Sequence, residues 1–323
     1  MKLGIAVVYL VLPGDEELID LHLRYIEHCT SVPFTVYAAT NRLQEPLVER
    51  LSARPFVRLC AMQPTDERGS MENAYYLEHL IAKAIQDGCT HVATLHVDSF
   101  PIHVGWETEL DRAISVGYAF AAILREEDSF GKPSTACLFV PRSFYLRHRP
   151  QLLLSSENMQ SQLERSYARK LLNPRESGAG YGFVAFKEDL RWLRLRRTNR
   201  DADHYYYGSI HGNLIFHLGA SAHAPRSFPG SKEYSQLARL RAAVKAVLPS
   251  HVQRLLHRLI PYRVLHPETA RLQRAHAQVK AALLANPTRF IARIRGAEDQ
   301  APTRVPGDSA RRSQGSTPPC RFS

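Results

Sequence analysis

The chain lacks most of the features that assign a protein at sight. Its 323 residues hold five cysteines (Cys29, Cys60, Cys89, Cys137 and Cys320), an odd number with no Cys-x-x-Cys pair. Neither a zinc knuckle nor a disulfide framework is signalled, and a reducing compartment is implied. No uninterrupted apolar run approaches the ~18 residues that a membrane-spanning helix requires. The apolar stretch Leu3–Leu12 runs into Pro13-Gly14-Asp15-Glu16-Glu17 with no small-residue cleavage site, so it reads as a buried first strand rather than a secretion leader. No internal repeat is visible. What is present is a hydrophobic fraction of 44%, with 13 Phe and 14 Tyr, which suffices for a core and excludes collagen and wholesale disorder. One large domain or two smaller ones are expected, in the cytoplasm.

Charge is the next deviation, and it is local. The whole chain carries 42 Lys and Arg against 31 Asp and Glu. Residues 1–230 hold 25 basic and 26 acidic side chains, whereas residues 231–296 hold 13 basic and only Glu233 and Glu268 as acids. The basic excess therefore belongs to one segment. There, Arg239, Arg241, Lys245, Arg254, Arg258 and Arg263 interleave with Leu240, Val244, Val247, Leu248, Leu255, Leu256, Leu259 and Ile260 at helical spacing. The pattern suits either an interfacial helix on an anionic membrane surface or the solvated face of a helix packed on the domain. Nucleic acid is not favoured, because no aromatic platform or zinc motif accompanies the charge.

Hydrophobic periodicity over the first half alternates between strand and helix. Ile5–Leu12, Phe34–Ala39, Val57–Cys60 and His91–Val97 read as strands; Glu16–Cys29, Glu45–Arg54 and Met71–Gln86 read as helices. Further along, Gly105–Ile114, Met159–Leu172 and Gly178–Lys187 suit helices, and Tyr118–Ile123, Thr135–Pro141 and Trp192–Leu195 suit strands. Such alternation predicts an α/β fold with a mostly parallel sheet flanked by helices. A C-terminal helical extension over 231–296, broken at Pro249, Pro261, Pro267 and Pro287, follows a first domain over 1–230. The Pro/Ser/Arg/Gly-rich stretch 297–323 is expected to be a disordered tail.

Ligands of open α/β sheets bind beyond the carboxyl ends of the strands. There the sequence places Thr94-Leu95-His96-Val97-Asp98-Ser99-Phe100-Pro101, followed by Gly105-Trp106 and a helix. An apolar strand ending in an acid puts that carboxylate at the sheet's rim, where with a nearby imidazole it can hold a divalent cation against a diphosphate. Equally, Asp98 could cap a turn and His96 could be a buried, hydrogen-bonded side chain.

The ordered set Glu72-Asn73-Ala74, His91–Val97, His96-Val97-Asp98, Pro101, Gly105-Trp106, Ala136–Arg142, Glu176-Ser177-Gly178 and His217-Leu218-Gly219 resembles the GT-A glycosyltransferases, in particular the family-2-like bacterial enzymes. The resemblance spans about residues 3–225. It implies a GT-A-like, Rossmann-related fold and transfer of a sugar from a nucleotide-sugar donor to a glycan or lipid-linked acceptor, with inversion. It also implies a divalent cation, Mn²⁺ or Mg²⁺, held by Asp98, His217 and His96, although His96 stands where the family carries the first Asp of its metal motif. Glu176 falls at the family's acidic base, with Asp189 and Glu188 as rivals. Donor-binding residues implied are Thr40, Asn41, Arg42, Asp66, Asn73, His96 and Asp98. Arg68 and Arg142 are candidate phosphate partners. Thr40-Asn41-Arg42 and Asp66 also suit ordinary turn chemistry, and Glu176 suits a helix N-terminus. Asp201-Ala202-Asp203 shares the motif's spelling but follows a charged stretch, and reads as a solvated loop. The alternative function is a non-catalytic GT-A-like scaffold that binds an anionic membrane or polyanion through its basic helices. The expected location is the cytoplasm, with the basic helices suited to a peripheral position on the inner face of the membrane.

Overall fold

The computed structural model describes residues 1–11, 13–125, 131–154, 161–171, 174–199, 208–219 and 267–296. Its centre is a seven-stranded sheet of order β3-β2-β1-β4-β7-β6-β8. The strands are β1 (Leu3–Val8), β2 (Phe34–Ala39), β3 (Val57–Leu59), β4 (His91–His96), β6 (Ala121–Arg125), β7 (Lys132–Pro141) and β8 (Leu193–Leu195). Strands β1 to β4 pair in parallel, β6 and β8 pair in parallel, and β7 is inserted antiparallel between β4 and β6. The mostly parallel α/β sheet expected from the alternation is present.

Strand β1 reads as continuous apolar sequence because both faces of the sheet are covered. Leu3, Ile5 and Val7 pack with Ile19, Leu23 and Ile26 of α1 (Glu17–Cys29), Leu51 of α2 (Glu45–Ser52), and Trp106 and Leu110 of α4 (Trp106–Ser115). On the other face, Ala6 and Val8 meet Ala74, Leu77, Leu80, Ile81 and Ala84 of α3 (Ser70–Gln86). Phe144 of α5 (Arg142–His148) and Tyr181 and Ala185 of α7 (Ala179–Lys187) complete that layer. The helix α6 (Gln162–Lys170) packs Tyr167 against Ala179, beside Phe183 and Phe186. Gly105, at φ +77°, turns the chain into α4, and Trp106 is buried with Nε1–H donating to Thr30 Oγ1 at 3.2 Å. The Gly-Trp pair is thus an anchor in the core.

A second, antiparallel sheet of β5 (Ser99–Pro101), β10 (Ile215–His217) and β9 (Ser209–His211) flanks the first. Periodicity missed it because each strand has three residues. Its Phe100, Ile210 and Phe216 pack on Leu18 and Leu21 of α1 and on Leu283 of α8 (Pro267–Ala285) and Phe290, Ile291 and Ile294 of α9 (Pro287–Ile294). Pro267 and Pro287, read as breaks, are the first residues of α8 and α9, where a missing N–H costs nothing. The basic residues Arg239 to Arg263, the segment 297–323 and Asp201-Ala202-Asp203 lie outside the described residues.

Candidate functional site

Strand register gathers the chemistry at one rim. Val8 is level with Ala39 and with His96, so the carboxyl ends of β1, β2 and β4 coincide. Because β7 runs backwards, its first residue Lys132 lies level with Arg125, the last residue of β6, at this same rim. Immediately beyond β4 the chain turns through Val97 and Asp98 into β5. The His96 backbone N–H donates to Ser99 Oγ at 2.8 Å, so the Ser99 side chain closes the turn. Pairing of His217 with Ser99 across β10 and β5, and donation from Leu218 N–H to Asp98 O at 2.9 Å, bring the late histidine alongside.

His96, Asp98 and His217 thus converge. One ligand atom from each lies within 4.8 Å of the others, and this is the one such group among the described residues. His217 Nε2 is 3.8 Å from Asp98 Oδ1, and the two imidazole centroids are 5.9 Å apart. Asp98 is 1% exposed and His217 7%. Burial pushes the His96 imidazole down to about 4 and that of His217 to about 3, so both are neutral near pH 7 and keep a lone pair. Two neutral imidazoles and a carboxylate at this spacing fit a divalent cation.

Glu176 stands beside this group, on the turn before α7. Its carboxylate pairs with Arg125 Nη2 at 3.1 Å and with the buried Lys132 Nζ. Burial alone would raise its carboxyl, but Arg125 and Lys132 outweigh burial and hold it below the ordinary carboxylate value. Its placement depends on Gly178, at φ +102°, where a Cβ would come within 2.2 Å of Pro133 O. Asp189 and Glu188 follow α7; a nine-residue helix rises about 13 Å, so they are carried to the end away from Glu176.

The implied donor residues divide. Asn73 Nδ2 lies 3.4 Å from Thr135 Oγ1 and 3.5 Å from Ser177 Oγ, in contact with the His96 surroundings. Thr40 follows β2, two strands from His96 or about 10 Å. Asn41 donates to Met62 O at 2.8 Å, and Arg42 pairs at 2.9 Å with the buried Glu72, so both brace the loops at this rim. Asp66 is exposed on the loop after β3. Arg68 turns back to Thr65 O and Glu67 O. Arg142 opens α5 after β7, whose Pro141 is level with His91, and so lies at the opposite rim.

Sequence reasoning missed Arg125, which ends β6, and Lys132 and Thr135, which reach the rim because β7 is antiparallel. It also missed α8. There, His276 Nε2–H donates to Gly219 O at 2.8 Å, two residues past His217, and Lys280 pairs with the buried Asp15. No local signal marks a contact between residues this far apart in sequence.

No protein-family model matches the chain, and no curated protein matches it. Solved structures similar to it include mouse xyloside xylosyltransferase 1 in its apo form, at 11% identity and TM-score 0.38 over 60% of this chain and 85% of that one. An active-site mutant of LgtC matches at 10% identity and TM-score 0.36 over 57% and 70% of the two chains. A Staphylococcus aureus TarS fragment in complex with UDP-GlcNAc matches at 12% identity and TM-score 0.35 over 50% and 54%. At TM-scores this low the likenesses carry no argument, and the functional reading rests on the site.

Proposed function

We propose that this chain is a glycosyltransferase that moves a sugar from a nucleotide-sugar donor to a hydroxyl of a glycan or lipid-linked acceptor, with inversion. The observation that carries the reading is the convergence of His96, Asp98 and His217 at the carboxyl rim of the sheet, with Arg125, Lys132 and Glu176 next to it. In the transfer, the bond from the anomeric carbon to the diphosphate breaks as the acceptor oxygen attacks, and the acceptor proton must be taken up. A divalent cation on the His96, Asp98 and His217 ligands would supply positive charge for the leaving diphosphate. Arg125 and Lys132 are suited to the same phosphates, as charge-assisted donors. Glu176, ionised at neutral pH, is the base. Its two ion pairs weaken it, and donor phosphates that compete for Arg125 and Lys132 would restore its basicity. Thr40, Asn41, Arg42 and Asp66, further along the rim, flank the donor's nucleoside end. Asn73 is read otherwise below.

The basic segment 231–296 supports a location on an anionic membrane surface at the cytoplasmic face, where lipid-linked acceptors are found. Among the described residues no helix is long and apolar enough to cross a membrane.

The test is release of nucleoside diphosphate from a panel of nucleotide-sugars by the purified full chain with a divalent cation. Turnover of at least one donor, abolished in Asp98→Ala, is expected. Absence of binding and turnover across the panel, together with salt-sensitive binding to anionic vesicles, would instead establish the non-catalytic scaffold.

A further inference from the structure

His96 is held by more than its two acidic and basic neighbours. Its Nε2 lies 3.0 Å from Thr135 Oγ1, and that hydroxyl is 3.0 Å from Ser177 Oγ. The Asn73 amide reaches both hydroxyls, at 3.4 and 3.5 Å. Thr135 is 1% exposed, and its carbonyl accepts from Thr94 Oγ1 at 2.8 Å, so the hydroxyl rides on a fixed point of β7.

Two hydrogen orders satisfy this group, one with His96 Nε2–H donating to Thr135 Oγ1 and one with the Thr135 hydroxyl donating to His96 Nε2. An amide nitrogen only donates, so each hydroxyl that Asn73 reaches gives one lone pair to accept from it. In the first order His96 Nε2–H donates to Thr135 Oγ1 and the Thr135 hydroxyl hydrogen goes to Ser177 Oγ; this is the order that suits a metal ligand. A neutral imidazole carrying its hydrogen on Nε2 keeps its lone pair on Nδ1. Metal-binding histidines almost always donate their second ring N–H in this way, and the partner fixes both tautomer and ring orientation. The donor set that results is two imidazole nitrogens and one carboxylate oxygen. Imidazole favours transition metals, whereas Mg²⁺ requires oxygen ligands.

We propose that Thr135, backed by Ser177 and Asn73, is the positioning residue that holds His96 as an imidazole ligand, and that the His96–Asp98–His217 site therefore takes a transition-metal ion in preference to Mg²⁺. The inference rests on the reading of this cluster as the cation site of the proposed enzyme. It assigns Asn73 to support of the metal ligand rather than to the donor.

The experiment uses the full chain stripped of metal with a chelator and measures Co²⁺ and Mg²⁺ affinity by competition with a chromophoric chelator. The wild type should bind one Co²⁺ per chain, at least 100-fold more tightly than Mg²⁺. Thr135→Val should weaken Co²⁺ about 10- to 100-fold with the melting temperature of the metal-free protein unchanged, and Thr135→Ser should restore affinity to within about threefold of wild type. Comparable affinity for Co²⁺ and Mg²⁺, or a Thr135→Val protein that binds like the wild type, overturns the proposal. Should Thr135→Val fail to fold, His96→Asp decides: it must narrow the Co²⁺-over-Mg²⁺ preference, and an unchanged ratio contradicts the account. Co²⁺ binding with this dependence but no donor turnover would leave the metal assignment standing while removing the transferase; turnover without metal binding would do the reverse.

Discussion

At the scale of single residues, the rim is built from imidazoles kept neutral by burial. His22 of α1, beside the metal ligands, shows this: it is fully buried, Nδ1–H donates to Ser99 O at 3.0 Å, and burial pushes its pKa down to about 3. Above pH 6.5 the ring is neutral whether the chain is folded or not. Below that the unfolded chain takes up a proton that the native state refuses, so stability falls by about 1.4 kcal/mol per pH unit until the folded pKa is reached. His22→Gln should therefore flatten the decline of unfolding free energy between pH 6.5 and pH 5, measured by urea titration; an unchanged slope would show that His22 is protonated in the native state. For the chemistry, Glu176→Gln should lower turnover about 10²- to 10⁴-fold with donor affinity largely retained, the range for loss of a general base. His96 and Asp98 drew notice because an apolar strand ends there, whereas His217 and Glu176 were singled out by the family resemblance and not by local pattern. Arg125, Lys132 and Thr135 were not legible: their partners are set by the antiparallel insertion of β7, which no local periodicity encodes.

At the scale of elements, two junctions decide whether the rim assembles. The turn into α7 requires Gly178, because its φ of +102° and the 2.2 Å approach to Pro133 O leave no room for a side chain. Gly178→Ala should cost about 1–3 kcal/mol in stability and weaken turnover through displacement of Glu176; a variant as stable and active as the wild type would contradict the geometry. The second junction is the docking of α8 and α9 on the small sheet. Phe290, 4% exposed, sits with Phe216 and Ile294 in that interface, so Phe290→Ala should destabilise the protein by about 3–5 kcal/mol in denaturant melts. The long helices were legible because their apolar stripes exceed a turn. The strands β5, β9 and β10 were not, since three residues show no period, and α8 and α9 were seen only as helical composition punctuated by prolines.

At the scale of the whole molecule, the basic excess lies in residues 231–296, of which 267–296 form α8 and α9 packed on the small sheet. Residues 1–230 carry 25 basic and 26 acidic side chains, and residues 231–296 carry 13 basic against two acidic. Arg125 and Lys132, which pair with Glu176 at the rim, belong to residues 1–230. If the basic segment serves as a membrane contact, binding to anionic vesicles should fall steeply as salt rises from 50 to 500 mM, while donor turnover on a soluble acceptor changes much less; vesicle binding insensitive to salt would reject that role. The central claim is that the His96–Asp98–His217 rim binds a nucleoside diphosphate through a divalent cation. Calorimetric titration of nucleoside diphosphates into wild type and Asp98→Ala, with Mn²⁺ and after chelation, tests it most directly. The account predicts binding of at least one nucleoside diphosphate to the wild type with Mn²⁺, lost both on chelation and in Asp98→Ala. Binding that is equal in all four conditions would contradict it.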